Sequence, residues 1–307
     1  MPQFSVVIAC YNAAHTLPEA LASLQSQTHA NWEAICIDDG STDGTLGLLK
    51  AAAADDVRIK IIAQANAGPS VARNAGVDAA TGDWIAFLDA DDLWLPHKLD
   101  VVADVVAHEP DVAAVFGKIA FFEDASERDK TVSTVQPGQT PLERILGENP
   151  VCTLSNLCVK REAFHAVHGF DVTMRYSEDL DFIIRLVTAG FPLIGTDTLL
   201  MRYRASNDGL SANLMQMHDG WRLAIASAGA SVTPQQRACA EALHLRYLAR
   251  RALRLDQPGL IAAAIALQGL KKAPLTFLSD RHRGAATLIC SFVAPLIPTA
   301  LRRKLFA

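Results

Sequence analysis

The chain has 307 residues, half of them apolar, a formal net charge of −5 and six cysteines. That length suits one large domain with an appendage, or two domains, and the apolar share is enough for a sizeable core. The cysteines lie scattered with no CxxC spacing, which excludes a disulfide framework and a zinc site, and so small a net charge gives no reason to expect a nucleic-acid partner.

The charge is unevenly placed. Residues 1–220 carry 15 Lys and Arg against 30 Asp and Glu, while residues 221–307 carry 13 against 3, so the two parts face different partners or each other.

In chain order, residues 4–10 (FSVVIAC) predict a buried strand with no basic or cleavable segment ahead of it, and a cytoplasmic enzyme is expected. Residues 17–27 predict an amphipathic helix with Leu17, Leu21 and Leu24 on one face. Strands at 32–37, 57–62 and 83–88 then alternate with helices at 42–54 and 70–80. Continuously apolar strands in that alternation predict an α/β fold, a mostly parallel sheet with helices on both faces. Ligands of such sheets bind beyond the carboxyl ends of the strands. The pattern then becomes mixed: a strand at 113–122, a polar stretch at 123–139, a short helix at 141–146, a strand at 153–159 and helices at 161–167 and 178–189. After residue 210 helices dominate, at 234–255 and 260–271, with an apolar run from 285 onward.

Polar residues gather at the strand ends: Tyr11 and Asn12 after the first, Asp38-Asp39-Gly40-Ser41 after the second, Asp89-Ala90-Asp91-Asp92 after the fourth. Three carboxylates within four residues repel one another and are costly to bury unpaired. They either hold a hard divalent cation, Mn²⁺ or Mg²⁺, suited to a diphosphate, or form a solvated turn capping a helix that begins near Leu93. In the second segment Gly40 gives turn freedom, Ser41 or Thr42 can cap the next helix, and Asp39 is left to accept a hydrogen bond; turn chemistry alone also accounts for it. Arg73 lies one turn into a helix whose N-terminus points toward the same crevice, where a guanidinium can meet a phosphate or the Asp cluster. Glu178, Asp179 and Asp181 fall in a first helical turn, where the dipole favours acids whatever the function.

Together these segments resemble the inverting nucleotide-sugar glycosyltransferases of family 2, which have the GT-A fold. The resemblance lies in SVVIACYN at 5–12, IDDGSTDGT at 37–45, NAGPSVARNAG at 66–76, GDWIAFLDADD at 82–92, and GFD at 169–171 followed by SEDLDFIIRL at 177–186. It covers about residues 1–212. It implies that Ala9, Tyr11 and Asn12 contact the nucleoside, that Asp39 binds the base, commonly uracil, and that Arg73 lies near the diphosphate. It also implies a DxD motif in which Asp89, next to Ala90, lies by the ribose or metal and Asp91 binds the divalent cation. Asp179 matches the general base and Glu178 lies beside it in the acceptor region. The chemistry implied is a single displacement from a nucleotide-sugar donor, a UDP-sugar by preference, onto a hydroxyl of a saccharide or lipid-linked saccharide. One departure stands out: where family members often carry a metal-completing histidine, this chain has Ser206, with Asn207, Asp208 and His218 nearby. That keeps a catalytically silent nucleotide-sugar-binding protein open as the alternative. A nucleotidyltransferase would need a basic, glycine-rich loop after the first strand, and residues 9–15 offer none.

The expected organisation is a GT-A catalytic domain over 1–220, its nucleotide-sugar half at about 1–110 and its acceptor half at about 111–220, followed by a basic helical extension at 221–307. In the latter, the uncharged run 285–301 is flanked by Arg281 and Arg283 before and Arg302, Arg303 and Lys304 after. It is short for a bilayer span and contains Pro295 and Pro298, so no spanning helix is expected. Packing on the catalytic domain and peripheral membrane contact through 285–304 both stay open.

Overall fold

The computed structural model describes residues 3–123, 129–205, 213–255 and 258–297. Chain contacts divide it into two compact units, residues 1–140 with 151–206, and residues 141–150 with 207–307.

The first unit is built on β1 (Phe4–Cys10), β2 (Trp32–Asp38), β3 (Ile59–Ala63) and β4 (Trp84–Phe87), alternating with α1 (Leu17–Gln25), α2 (Thr45–Asp55) and α3 (Pro69–Asp78). These strands pair in parallel in the order β3-β2-β1-β4. β1 and β2 are buried almost throughout, as their unbroken apolar runs require. Next come β5 (Leu93–Trp94), α4 (Lys98–His108), β6 (Ala114–Phe122), β7 (Thr131–Val132) and β8 (Gly138–Gln139). After α5 (Leu142–Gly147), which belongs to the second unit, the first continues with β9 (Cys158–Lys160), α6 (Arg161–Ala166), α7 (Glu178–Thr188) and β10 (Leu193–Arg204).

The short β9 is antiparallel to both β4 and β6, so β6, and β10 parallel to it, point the same way as β1. The long ladders are thus parallel, and the antiparallel ones are only two or three residues long. Among the described residues the result is a mixed, mostly parallel sheet of ten strands with helices, the architecture expected from the alternation. It brings the carboxyl ends of β1, β2, β4 and β10 to one edge.

Gly76 sets the approach of α3 to the sheet. A Cβ there would stand 2.5 Å from Val7 Cγ1 and 2.6 Å from Ile37 Cδ1, so only glycine lets the helix lie this close to β1 and β2.

The structure departs from the sequence reading in several places. The strand expected at 153–159 is a 3₁₀ turn at Leu154–Asn156 followed by the short β9, because Thr153 Oγ1 accepts from Ser155 N and turns the chain there. The segment after Asp92 is not a helix: Leu93 and Trp94 pair with Arg202 and Met201 of β10, and the helix begins at Lys98. The α2 helix begins at Thr45, because Ser41 and Thr42 are used elsewhere. β10 was not foreseen; its register shifts between Gly195 and Leu199 and again before Met201, which breaks the alternation that marks a strand.

The second unit is helical: α5 joins α8 (Leu214–Ser227), α9 (Pro234–Arg254), α10 (Gly259–Lys272), α11 (Pro274–Phe277) and α12 (Arg281–Val293). A capping box starts α9, Thr233 Oγ1 accepting from Gln236 N while Gln236 Oε1 accepts from Thr233 N. Its core is Leu245, Leu248, Ala252 and Leu253 of α9 against Leu214, Ala262 and Ala294. Among the described residues no helix is long and apolar enough to cross a membrane.

Candidate active site

The loops after β1 and β2 are stitched together by side chains that turn chemistry alone does not require. Asn12, held at a φ of 49°, accepts through Oδ1 from Thr42 N (2.8 Å), and its own N–H donates to Ser41 Oγ (3.1 Å). Ala13 N donates to Thr45 Oγ1 and Ala14 N to Asp43 Oδ2. Tyr11 is left 54% exposed on this scaffold, an aromatic face available at the sheet edge, with half-buried Ala9 beside it at the end of β1.

Asp39 is buried and ties β2 to the start of α3. Its Oδ1 accepts from Gln64 Nε2 (2.7 Å) and Ala67 N (2.9 Å), and its Oδ2 from Gly68 N (2.9 Å). The loop can pass this close because Gly40, at φ +73°, has only 2.8 Å between its Cβ position and Asn66 N.

Arg73 is the hub. Buried on α3, it donates from Nη2 to Asp89 Oδ1 (2.7 Å) and from Nη1 to Glu178 Oε1 (3.2 Å). One guanidinium therefore joins the tip of β4 to the first turn of α7. Asp89 is further held by Thr153 Oγ1, which donates to its Oδ2 (3.3 Å), and by Ser155 Oγ, which accepts from its backbone N–H.

The neighbouring acids strain against one another. Desolvation first, and the charge of Asp89 second, push Asp91 up to about 6. Asp92 is fully buried and pushed well above the usual carboxylate range by the same causes; its Oδ1 accepts from Arg204 N (2.9 Å), while its Oδ2 lacks a hydrogen-bond partner among the described residues. This is the role in place of the helix cap expected for it. Arg204, at the end of β10, also donates from Nε to Asp91 O (2.9 Å) and from Nη2 to Glu19 Oε2 (2.5 Å), pinning the whole turn.

Asp179 lies half-buried in the first turn of α7, two residues after Ser177, which stands at the N-cap with a φ of 60°. Desolvation and the adjacent Glu178 carboxylate raise it to about 7, against the pull of Arg73. Asp181 differs: its Oδ2 accepts from Arg185 Nε (2.8 Å), and that guanidinium also donates to Val167 O and to Gly169 O, so Asp181 organises the loop before α7. On the far side of that loop Asn74 clamps Phe170 through both its backbone groups.

The structure thus gathers Asp89, Ala90, Asp91, Arg73, Glu178 and Asp179 around one crevice, with Asp39, Asn12 and Tyr11 along the same sheet edge. Ser206, Asn207 and Asp208 lie outside the described residues. His218 belongs to the second unit, where it stacks on Trp221 and His244. Arg204, Thr153, Ser155 and Asn74 were not singled out beforehand. Asn74 stood inside a quoted motif and Arg204 two residues before the departure at Ser206, whereas nothing in the sequence marked Thr153 or Ser155.

A hard oxygen pair at Asp89 and Asp91, the latter raised by desolvation and by the charge of Asp89, suits a divalent cation. Among the described residues no group of three or more His, Cys, Asp or Glu could hold a metal.

A mostly parallel sheet whose carboxyl edge carries these acids and one bridging arginine defines a GT-A glycosyltransferase. Residues 5–167 match the profile described as "Glycosyl transferase family 2", and the chain belongs to that family. The glucosyltransferase WfgD of Escherichia coli, whose name gives UDP-Glc as donor and α-D-GlcNAc-diphosphoundecaprenol as acceptor, is 29% identical over 211 residues, covering 68% of this chain and 79% of WfgD. In structure, S. aureus TarS 1–349 in complex with UDP-GlcNAc superposes with a TM-score of 0.64 at 16% identity, over 99% of this chain and 91% of that one. The mannosyltransferase PcManGT of Pyrobaculum calidifontis, in complex with GDP-Man and Mn²⁺, superposes at 0.57 with 19% identity, over 96% and 87%. At these identities the two superpositions establish the fold.

Proposed function

We propose that this glycosyltransferase inverts configuration, moving a sugar from a UDP-sugar to a hydroxyl of a saccharide or lipid-linked saccharide in surface polysaccharide or glycolipid assembly. The observation that carries this reading is the Arg73 bridge between Asp89 of the DxD tip and Glu178, whose neighbour Asp179 is a carboxyl raised to about 7. The relatives' names support a nucleotide-sugar donor, and WfgD's supports a lipid-linked acceptor.

In this reading Tyr11 stacks on the base, Ala9 and Asn12 shape the nucleoside pocket, and Asp39 Oδ2, with a single donor on it, keeps a lone pair for the uracil N3–H. Arg73 stands by the diphosphate. Asp179 accepts the proton of the acceptor hydroxyl as that oxygen attacks the anomeric carbon from the face opposite the diphosphate, and the bond to the diphosphate breaks as the new one forms. General-base assistance of this kind contributes about 10²–10⁴-fold. Glu178, fixed by Arg73, lines the acceptor side. Asp91, with Asp89 beside it, would hold Mn²⁺ or Mg²⁺, which when bound supplies Lewis-acid neutralisation of the departing diphosphate. The protein works in the cytoplasm, peripherally at the inner face of the membrane.

A panel of nucleotide sugars, assayed for hydrolysis and transfer with Mn²⁺ in wild type and Asp179→Asn, tests the proposal. Turnover that needs a UDP-sugar and collapses in the variant is the expected result; binding without turnover across donors and acceptors would sink it in favour of a silent binding protein.

A further inference from the structure

The α12 helix is amphipathic in the wrong sense for a helix buried against its own unit. Its exposed large residues, continuing into the turn that follows, are Ile289, Phe292, Val293 and Leu296, at i, i+3, i+4 and i+7, so one face presents a continuous apolar stripe to solvent. Its buried positions are instead small or polar: Gly284, Thr287, Ser291 and Ala294. Beside this stripe, between α9 and α12, opens a cleft of about 290 Å³. Arg250, Arg254 and Arg283 line it, with Thr287 and an apolar floor of Leu253 and Ala286.

Three guanidiniums converging on one cleft repel one another. Desolvation first, then the charges of Arg254 and Arg283, hold Arg250 below its ordinary value; Asp280 pairs with Arg283 (3.4 Å), and none of the described residues that line the cleft is acidic. The lining is therefore cationic, with apolar walls beside it. An anion with an apolar body answers both features, because the charge enters among the arginines while the hydrocarbon meets the stripe.

We infer that the α9–α12 cleft receives the phosphate of an anionic lipid headgroup, with Ile289, Phe292, Val293 and Leu296 lying in the acyl boundary. Arg250 and Arg283 take the phosphate oxygens and Thr287 borders the seat. One apolar stripe or one basic patch alone gives only marginal membrane affinity, whereas the two together make a stable peripheral contact. This goes beyond the transfer reaction, which stands or falls without it, and it assigns residues to the membrane contact.

The test is co-sedimentation of full-length protein with phosphatidylcholine vesicles, with and without phosphatidylglycerol. The expected result is binding that requires phosphatidylglycerol, falls roughly tenfold or more in Arg250→Gln/Arg283→Gln, and falls again in Phe292→Ser. Phe292 is 52% exposed, so its loss leaves the core untouched, and matched thermal unfolding of the variants confirms their folding. Absence of sedimentation, or variants that bind as wild type does, would overturn the inference. Protection by glycerol phosphate in solution without vesicle binding would overturn it as well, by assigning the cleft to a soluble phosphate. Transfer to a soluble acceptor by the same preparations separates this outcome from failure of the enzymatic reading.

Discussion

With its terminal nitrogens on Asp89 and Glu178, Arg73 supplies positive charge to a pocket that otherwise holds acids, and Asp179 feels it. Arg73→Lys offers one compact ammonium that cannot span both carboxylates, so one charge-assisted bond is lost, about 2 kcal/mol of unfolding free energy by chemical denaturation. Arg73→Leu leaves two partly buried carboxylates without their cation and costs about 3 kcal/mol or more. For Asp179 the sign of the pH effect follows from its role. A base acts as carboxylate, so kcat/KM falls tenfold per unit as pH drops below about 7 and is flat above it, a profile that Asp179→Asn abolishes. Its raised pKa also means that the folded state is penalised for ionising it as pH rises from the ordinary carboxylate value toward 7. Asp179→Asn should therefore raise Tm more at pH 8 than at pH 5, a site kept at some expense of stability.

The strand and helix alternation through β4 was legible because each element announces itself within its own sequence: unbroken apolar runs, then glycine- and acid-rich turns. The gathering of Asp39, Arg73, Asp89 and Asp179 was legible only through the order of motifs, since no local signal says that α7 returns to β4. What stayed hidden depends on contacts distant in sequence. Asp92 looked like a helix cap because an Asp before an apolar pair is a good one; pairing of Leu93 and Trp94 with β10 overrode that preference. β10 itself was masked by its irregular register. At the level of α3, Gly76→Ala tests the tight helix-sheet approach. The added methyl meets Val7 and Ile37 inside van der Waals distance, so about 1–3 kcal/mol should be lost, read as a lower denaturation midpoint. In the helical unit, α8 and α9 stack His218, Trp221 and His244, with ring centroids 4.7 Å apart for the last pair. Burial pushes His244 down to about 3, so the stability that comes from keeping it neutral is complete above about 6.5 and is lost as pH falls toward 3. His244→Phe keeps the stack and should flatten that acid dependence, followed by circular dichroism at falling pH.

Taken over the whole chain, stability against pH is a sum of opposed contributions. Glu33, at the opposite end of the sheet from the crevice, is desolvated, yet hydrogen bonds from Lys60, Ser5 and Thr81 carry it down to about 2. Its contribution is present above about 4.5 and lost between there and 2, adding to the acid loss from His244, whereas Asp179 works the other way. Glu33→Gln should lower Tm less at pH 3 than at pH 7, the deficit closing only as pH falls to about 2, measured by calorimetry. The place of β9 has a consequence of another kind, in time. Among the described residues it is the one strand joining β4 to β6, and it lies about seventy residues on in the chain. While a ribosome adds everything from Phe87 to Cys158, at ~5–20 residues per second, β4 emerges with one edge bare. For those seconds the nascent sheet is an open template for other chains, and its safety rests with whatever covers it during synthesis.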